Sequence, residues 1–429
     1  MKNIEITAVD SNFQREELNH YFGFKGGYLT ELWQNIVSIK SKKGFEGIGM
    51  ATQSVLYGDA DVFTSTSESN GNALMYVLTN RALRKIVNRQ FENPIELLDQ
   101  IIPELHNEGK EITGKVGLNI NFLYNALLSV DNALWLLYAY ENDISTFYEM
   151  IPEAYRRAFS FRNNKVALMY LLSYDTTLED IKKAVAEGYF IFKIKTGFPG
   201  RPEEMLQKDM DRLTEIYAIL KDVKTPQTPD GKVYYTMDAN GRYPNKELLA
   251  KYLEHAKTIG AFSHILFYEE PFAEENNEDV SDLGVLIAAD ESIHTEADAY
   301  KKLSLGYGAF VLKGIAKTLS VTAKIAKIAY DHAIPCICAD LTVNPVLVDW
   351  NKNIAATLQP FPGLNMGLME TNGDLNYKNW DEMKARHPYS GEKWANVSNG
   401  VFDLNEHFYK HSGGILLVPD YYKNLFKHK

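Results

Sequence analysis

Three acidic residues, Asp238, Glu269 and Asp290, stand where short apolar runs end, in "YYTMDANG", "ILFYEEPF" and "LIAADES". If those runs are neighbouring strands, the three carboxylates converge. Buried carboxylates packed together repel and raise one another's pKa. A hard divalent cation removes that conflict, and an all-oxygen set without His or Cys suits Mg²⁺ and, less well, Mn²⁺. Two lysines, Lys193 and Lys195, lie two apart in "FKIKTG", so a strand aims both at one face. A third, Lys313, ends "AFVLKG". A lysine beside a metal dication has its ammonium form disfavoured and could act as a base near neutral pH. The plainer alternatives are that the acids cap helices or form ordinary ion pairs, and that the lysines merely neutralise them. Lys317, in "KGIAKTLS", reads as a solvated helix residue past the strand.

Those runs belong to a larger rhythm. "VALMYLLSYD", "YFIFKIKTG", "KVYYTMDANG", "SHILFYEEPF", "GVLIAADES", "GAFVLKGIA", "IPCICADLT" and "NMGLMETNG" are eight short apolar stretches, each followed by a loop signal. Amphipathic helices fit most of the intervals, among them "TLEDIKKAVAEG", "PEEMLQKDMDRLTEIYAILKD" and "SVTAKIAKIAYDH". Near-continuous apolar strands alternating with helices make a parallel sheet buried on both faces, and eight of them fit a closed barrel. In such a barrel the chemistry sits at the carboxyl ends of the strands. There the second strand offers Lys193 and Lys195, the third Asp238 and Asn240, and the fourth Glu269 and Glu270. The fifth offers Asp290 and Glu291, the sixth Lys313 and the eighth Glu370. Strands two and six face each other across eight, so Lys195 and Lys313 would flank anything held by strands three to five.

Ahead of the barrel, "IEITAVDSNF" and "NIVSIKSKKGFEGIGMAT" read as antiparallel strands joined at a Lys-Gly turn. Helical spacing follows in "NALMYVLTNRALRKIV", "PIELLDQIIPELH" and "NALLSVDNALWLLYAYEN". The chain therefore divides into an α+β region over 1–155, the barrel over 156–375, and a segment over 376–429 that lacks the βα rhythm and folds back onto the first region. "KDVKTPQTPDGK" reads as a surface insertion.

A chain of 429 residues with 45% hydrophobic content has ample material for a large core. Its formal charge of −11 argues against nucleic acid or an anionic membrane as the main partner. Neither a signal-peptide h-region nor a membrane-spanning run is evident. Cys336 and Cys338 share a strand face too closely in sequence for an ordinary disulfide and are too few for zinc, so buried reduced thiols and a cytoplasmic location are expected.

The set of motifs resembles the enolase superfamily, and within it the muconate-lactonizing-enzyme-like subgroup. The matching pieces are "FKIKTG", "MDANGRY", "FYEEP", "AADES" and "VLKG" in family order, with "GFEGIGMAT" and "SVDNALWLLYA" ahead of the barrel. The resemblance implies an α/β fold, a (β/α)7β TIM-like barrel under an N-terminal α+β capping domain. It implies Mg²⁺ on Asp238, Glu269 and Asp290, with Lys195 and Lys313 as acid/base pair. Lys193 would contact a substrate carboxylate or tune Lys195. Capping loops near "YFGFKGG" and "SVLYGDADVF" make Phe24, Lys25 and Tyr57 substrate-contact candidates, beside Asn240 and Glu370. A small carboxylate is the implied substrate, and a homo-oligomer the expected assembly.

The implied reaction is abstraction of the proton alpha to a carboxylate, in a racemase, epimerase or cycloisomerase. A lyase of the acid-sugar dehydratase or o-succinylbenzoate synthase kind could use the same residues. A non-catalytic binding relative is a further alternative. Departures from the family pattern narrow the field. The seventh-strand His of the mandelate-racemase-like branch is absent from "CICADLT". Glu370-Thr-Asn stands where the dipeptide-epimerase branch carries Asp-x-Asp. "AKTLS" replaces the Gly-Gly that usually follows strand six.

Overall fold

The computed structural model describes residues 2–24, 27–339 and 341–427. The chain opens with β1 (Ile4–Phe24), β2 (Gly27–Ser41), β3 (Glu46–Gln53) and β4 (Gln90–Phe91), an antiparallel sheet in the order β3-β2-β1-β4. β1 and β2 form one long hairpin, in register from Ala8 opposite Lys40 to Glu17 opposite Glu31. The Lys-Gly turn between β2 and β3 is made as expected. Gly44 takes a φ of +90° and its N–H donates to the Ser41 carbonyl at 2.9 Å. β3 packs closely on the helix Ile120–Glu141, which is apolar all round and buried along nearly its whole length. Glycines permit that approach: a Cβ on Gly49 would lie 2.0 Å from the Ser129 carbonyl oxygen.

The eight apolar stretches are eight parallel strands. They are β5 (Lys165–Leu172), β6 (Ile191–Lys195), β7 (Tyr234–Asp238), β8 (Ile265–Glu269), β9 (Leu286–Ala289), β10 (Ala309–Leu312), β11 (Cys336–Cys338) and β12 (Gly367–Glu370). They pair in that order, and β12 returns to β5 from Gly367 opposite Val166 to Glu370 opposite Met169, closing the barrel. Helices Leu178–Ala186, Pro202–Leu220, Lys246–Ile259, Glu296–Ser304, Leu319–Asp331 and Pro345–Thr357 fill the crossovers. The crossover from β8 to β9 has no helix: residues 270–285 run through Pro271 and an acidic, Asn-rich stretch that offers no apolar face. The last part of the chain adds β13 (Val401–Asp403), antiparallel to the first residues of β5. Further on, Tyr422 packs against Ile36, Ile48 and Met50 of the opening sheet. Both cysteines are buried and free, and no described helix is long and apolar enough to cross a membrane.

The capping region and barrel are joined by a buried polar contact. Asp131, inside the helix Ile120–Glu141, accepts hydrogen bonds from the Ser320 hydroxyl and, at 3.2 Å, from the Ser320 N–H in the first turn of Leu319–Asp331. Trp135 Nε1 donates to the same hydroxyl at 3.2 Å. Burial pushes the Asp131 carboxyl up to about 6, although these donors oppose the shift. A carboxyl whose folded pKa exceeds its unfolded value binds more protons when folded, so its stabilisation is full at low pH and declines as pH rises. The stability difference between wild type and Asp131→Asn should therefore fall from pH 4 to pH 6 and then level off. Its amplitude should be at most about 3 kcal/mol. Urea unfolding of both proteins at pH 4, 5, 6 and 7 measures this, and a difference independent of pH would refute it.

Candidate active site

β6, β7 and β8 lie in register at their carboxyl ends, with Lys195 opposite Asp238 and Asp238 opposite Glu269. Asp290 follows β9 by one residue and faces the same mouth. The residues singled out by spacing are therefore together. Lys193 Nζ is 3.1 Å from Asp238, 2.9 Å from Glu269 and 2.9 Å from Glu370, so one ammonium spans the mouth from the fourth barrel strand to the eighth. Lys195 Nζ donates to Asp238 Oδ2 at 2.5 Å and to Asn240 Oδ1 at 2.6 Å. Lys313 Nζ pairs with Asp290 Oδ2 at 2.5 Å. β6 and β10 are four apart in the ring of eight. Lys195 and Lys313 thus approach the acids from opposite sides.

Electrostatics in this pocket is a contest between burial and pairing. Burial alone would lower the Lys193 ammonium, but Asp238, Glu269 and Glu370 outweigh it and hold the group well above its ordinary value. Lys313 is raised in the same way, chiefly by Asp290. Burial would raise Asp238, yet Lys193 and Lys195 keep it well below the carboxylate range. Glu269, buried and beside Asp238, is pushed far up instead. Glu269 Oε2 and Asp290 Oδ1 are buried with no hydrogen-bond partner among the described residues. Two orphaned carboxylate oxygens facing a third acid fit a hard cation. As placed here, with lysines among them, no three acids of the described residues form a group that could hold a metal ion.

The remaining expected contacts divide. Asn240, at a φ of +45°, also donates from Nδ2 to Glu291 at 3.0 Å and so ties the third strand end to the fifth. Tyr57 is buried, its ring centroid 4.7 Å from Lys313 Nζ. It sits on a short helix, Val55–Gly58, where a loop was expected. Phe24 ends β1, and Lys25 lies outside the described residues. Lys317 is a correction: it is 4% exposed, not solvated, and its Nζ donates to the Asp290 and Ile293 carbonyls at 2.6 and 2.7 Å. The turn after β10 places it one helical turn from Lys313 before the next helix begins, so its long side chain reaches back into the barrel mouth.

Other supporting residues are not among the candidates that spacing singles out. Asp209, on the helix Pro202–Leu220, accepts the Gly197 N–H at 2.7 Å, the Phe198 N–H at 3.3 Å and the Tyr243 hydroxyl at 2.9 Å. It pins the loop after Lys195 to the loop after Asp238. Arg242 donates to Tyr174 and to the Gly197 carbonyl, and Tyr174 donates to the Thr196 carbonyl. Gly197, at a φ of +78°, leaves 2.6 Å between a hypothetical Cβ and the Arg242 Cβ, so a side chain there would break the clasp. A buried acid on an otherwise amphipathic helix was the one signal in the sequence, and spacing alone does not mark it.

A family model described as enolase C-terminal domain-like matches residues 176–390, half of the chain. No curated protein matches. Among solved structures, a mandelate racemase/muconate lactonizing protein from Herpetosiphon aurantiacus is similar at a TM-score of 0.66 and 14% identity, over 94% of this chain and 96% of that one. The L-Ala-D/L-Glu epimerase from Bacillus subtilis, in a substrate-liganded complex, is similar at 0.63 and 17%, over 87% and 91%. A dipeptide epimerase from Enterococcus faecalis, complexed with Mg and L-Leu-L-Tyr, is similar at 0.61 and 16%, over 87% and 92%. The barrel, its cap and the ordered motifs at the strand ends agree with that match: the chain belongs to the mandelate racemase/muconate lactonizing enzyme family of the enolase superfamily.

Proposed function

We propose that this protein is a Mg²⁺-dependent enzyme that removes the proton alpha to a carboxylate, with a racemase or epimerase outcome. The observation that carries this reading is the placement of Lys195 and Lys313 on opposed strands with the acids of three intervening strands between them. Asp238, Glu269 and Asp290 would hold the metal. When bound, it supplies the positive charge that makes a very weakly acidic α-proton removable. Mn²⁺ would fit the same oxygen set less well.

Each side chain then has a task. Lys195 takes the proton on one face while Lys313 supplies one on the other, and the roles reverse for the opposite epimer. Both lysines are held to carboxylates here, so a cation sharing those carboxylates would weaken their support for the ammonium form. Lys193, within reach of Asp238, Glu269 and Glu370, offers a fixed positive charge for a substrate carboxylate. Asn240 steadies Lys195, and Tyr57 covers Lys313 from the capping side. Phe24 and Lys25 are proposed as outer contacts, Lys25 for a second acidic group. Two of the similar structures are epimerases, which is consistent with this class of reaction.

With Mg²⁺ in D₂O, ¹H NMR of a panel of carboxylic acids should show α-deuteration with the carbon skeleton retained. Lys195→Ala should abolish exchange from one epimer and Lys313→Ala from the other. Unaltered exchange of both epimers in either variant would disprove the two-base assignment, and loss of a β-substituent would assign a lyase instead. Calorimetry provides a separate check. Asp238→Asn should weaken Mg²⁺ binding by more than about tenfold, and a wild-type protein that binds no Mg²⁺ and exchanges nothing would be the non-catalytic relative.

A further inference from the structure

Asp290 is gripped at three points. Its N–H donates to Glu270 Oε2 at 2.6 Å, and the Ser292 hydroxyl steadies the same oxygen at 3.0 Å. Its carbonyl accepts Lys317 Nζ at 2.6 Å, and its Oδ2 pairs with Lys313 at 2.5 Å. Lys317 also holds the Ile293 carbonyl, while the Ile293 N–H donates to the Asp290 carbonyl at 3.3 Å. Both ends of the turn 290–293 are therefore tied to one ammonium. The clamp has its own local cost: Glu270 takes a φ of +35° and Thr318, next to Lys317, a φ of +74°. Left-handed backbone at non-glycine residues persists only where surrounding contacts over-determine it.

Burying a lysine costs several kcal/mol unless it is paired, and an apolar side chain would fill the same space without that cost. The two acceptors Lys317 finds are both main-chain oxygens of the turn that presents Asp290. Its backbone N–H in turn donates to the Lys313 carbonyl at 2.7 Å, so the turn bearing Lys313 is tied to the same clamp. We propose that Lys317 is a positioning residue: with Glu270 it fixes the Asp290 peptide from both sides, and so sets this carboxylate for the metal and for Lys313. The proposal rests on the metal reading above. Charge-assisted bonds to backbone are the stronger kind, and groups that orient metal ligands typically contribute 10- to 100-fold in metal affinity.

The test titrates Mg²⁺ calorimetrically into the full chain as wild type, Lys317→Met, Lys317→Gln and Lys352→Met. Lys352 is a buried lysine bonded to Asp349 and the Trp394 carbonyl, remote from the acids, and serves as the control for lost stability alone. Lys317→Met should raise the Mg²⁺ dissociation constant by about tenfold or more. Lys317→Gln, which keeps one donor, should fall between it and wild type. Lys352→Met should lower the melting temperature and leave the constant within twofold. A folded Lys317→Met protein with a wild-type constant would overturn the proposal. If Lys317→Met does not fold, Lys317→Gln decides by the same criterion. If wild-type protein binds no Mg²⁺, the metal reading has failed, and hydrogen exchange at the Asp290 and Ile293 amides of metal-free protein decides the clamp. Faster exchange in the Lys317 variants would support it, and unchanged exchange would overturn it.

Discussion

The structure turns on mutual neutralisation of charges that none of its partners could bear alone. Asp238, Glu269, Asp290 and Glu370 are each no more than 5% exposed, as are Lys193 and Lys313. An isolated ion in such surroundings would neutralise itself or unfold its neighbourhood. Here the ions are interleaved: Lys193 lies between carboxylates from three strands, and Lys313 pairs with Asp290. The barrel makes this possible because parallel strands in register bring side chains of distant sequence to one rim. Conversely, the rim constrains the barrel: any slip of β6 against β7 would separate Lys195 from Asp238 and expose both to an uncompensated interior.

Rigidity at that rim comes from groups other than the three proposed ligands and the two opposed lysines. Asp209 and Arg242 knit the second and third loops, Asn240 joins the third strand end to the fifth, and Lys317 with Glu270 holds the turn that follows the fifth. Asn240 and Glu270, just past strand ends, and Thr318, ahead of the helix Leu319–Asp331, take positive φ. Strain gathered at one end of the fold, and balanced by charged hydrogen bonds, is what a preorganised site requires. The helices of the capping region enter through Tyr57 and Asp131, which meet Lys313 and the following barrel helix respectively.

Much of this is legible in the sequence. Buried parallel strands need continuous apolar runs, so all eight could be marked, and the polar residues ending them named the rim. What spacing could not convey was reach. Lys317 lies four residues beyond Lys313 in a stretch of helical appearance, and a four-carbon stem returning to the previous strand's loop has no one-dimensional signature. Asp209 looked like any acid on an amphipathic helix because its donors are mainly backbone amides from another loop. The crossover from β8 to β9 offers no apolar face at helical spacing, and it holds no helix. The fine placement of the capping contacts was never encoded in a local pattern, since Val55–Gly58 is helical only because tertiary packing buries it.

One feature of the topology bears on how the chain reaches this state. β5, the first barrel strand made, finds β12 along one side, and along the other β6 for its later residues and β13 for its earliest. Two of these three partners are separated from it by some two hundred residues, so their pairing must absorb a large loop-closure entropy. Until that seam shuts, β5 offers unpaired main-chain groups, and Lys193 lacks its partner from the eighth strand. Completion of the charge network is thus coupled to a highly non-local pairing of the barrel. Half-formed barrels keep an ammonium short of one carboxylate, and that deficit favours closing the ring over lingering in an open one.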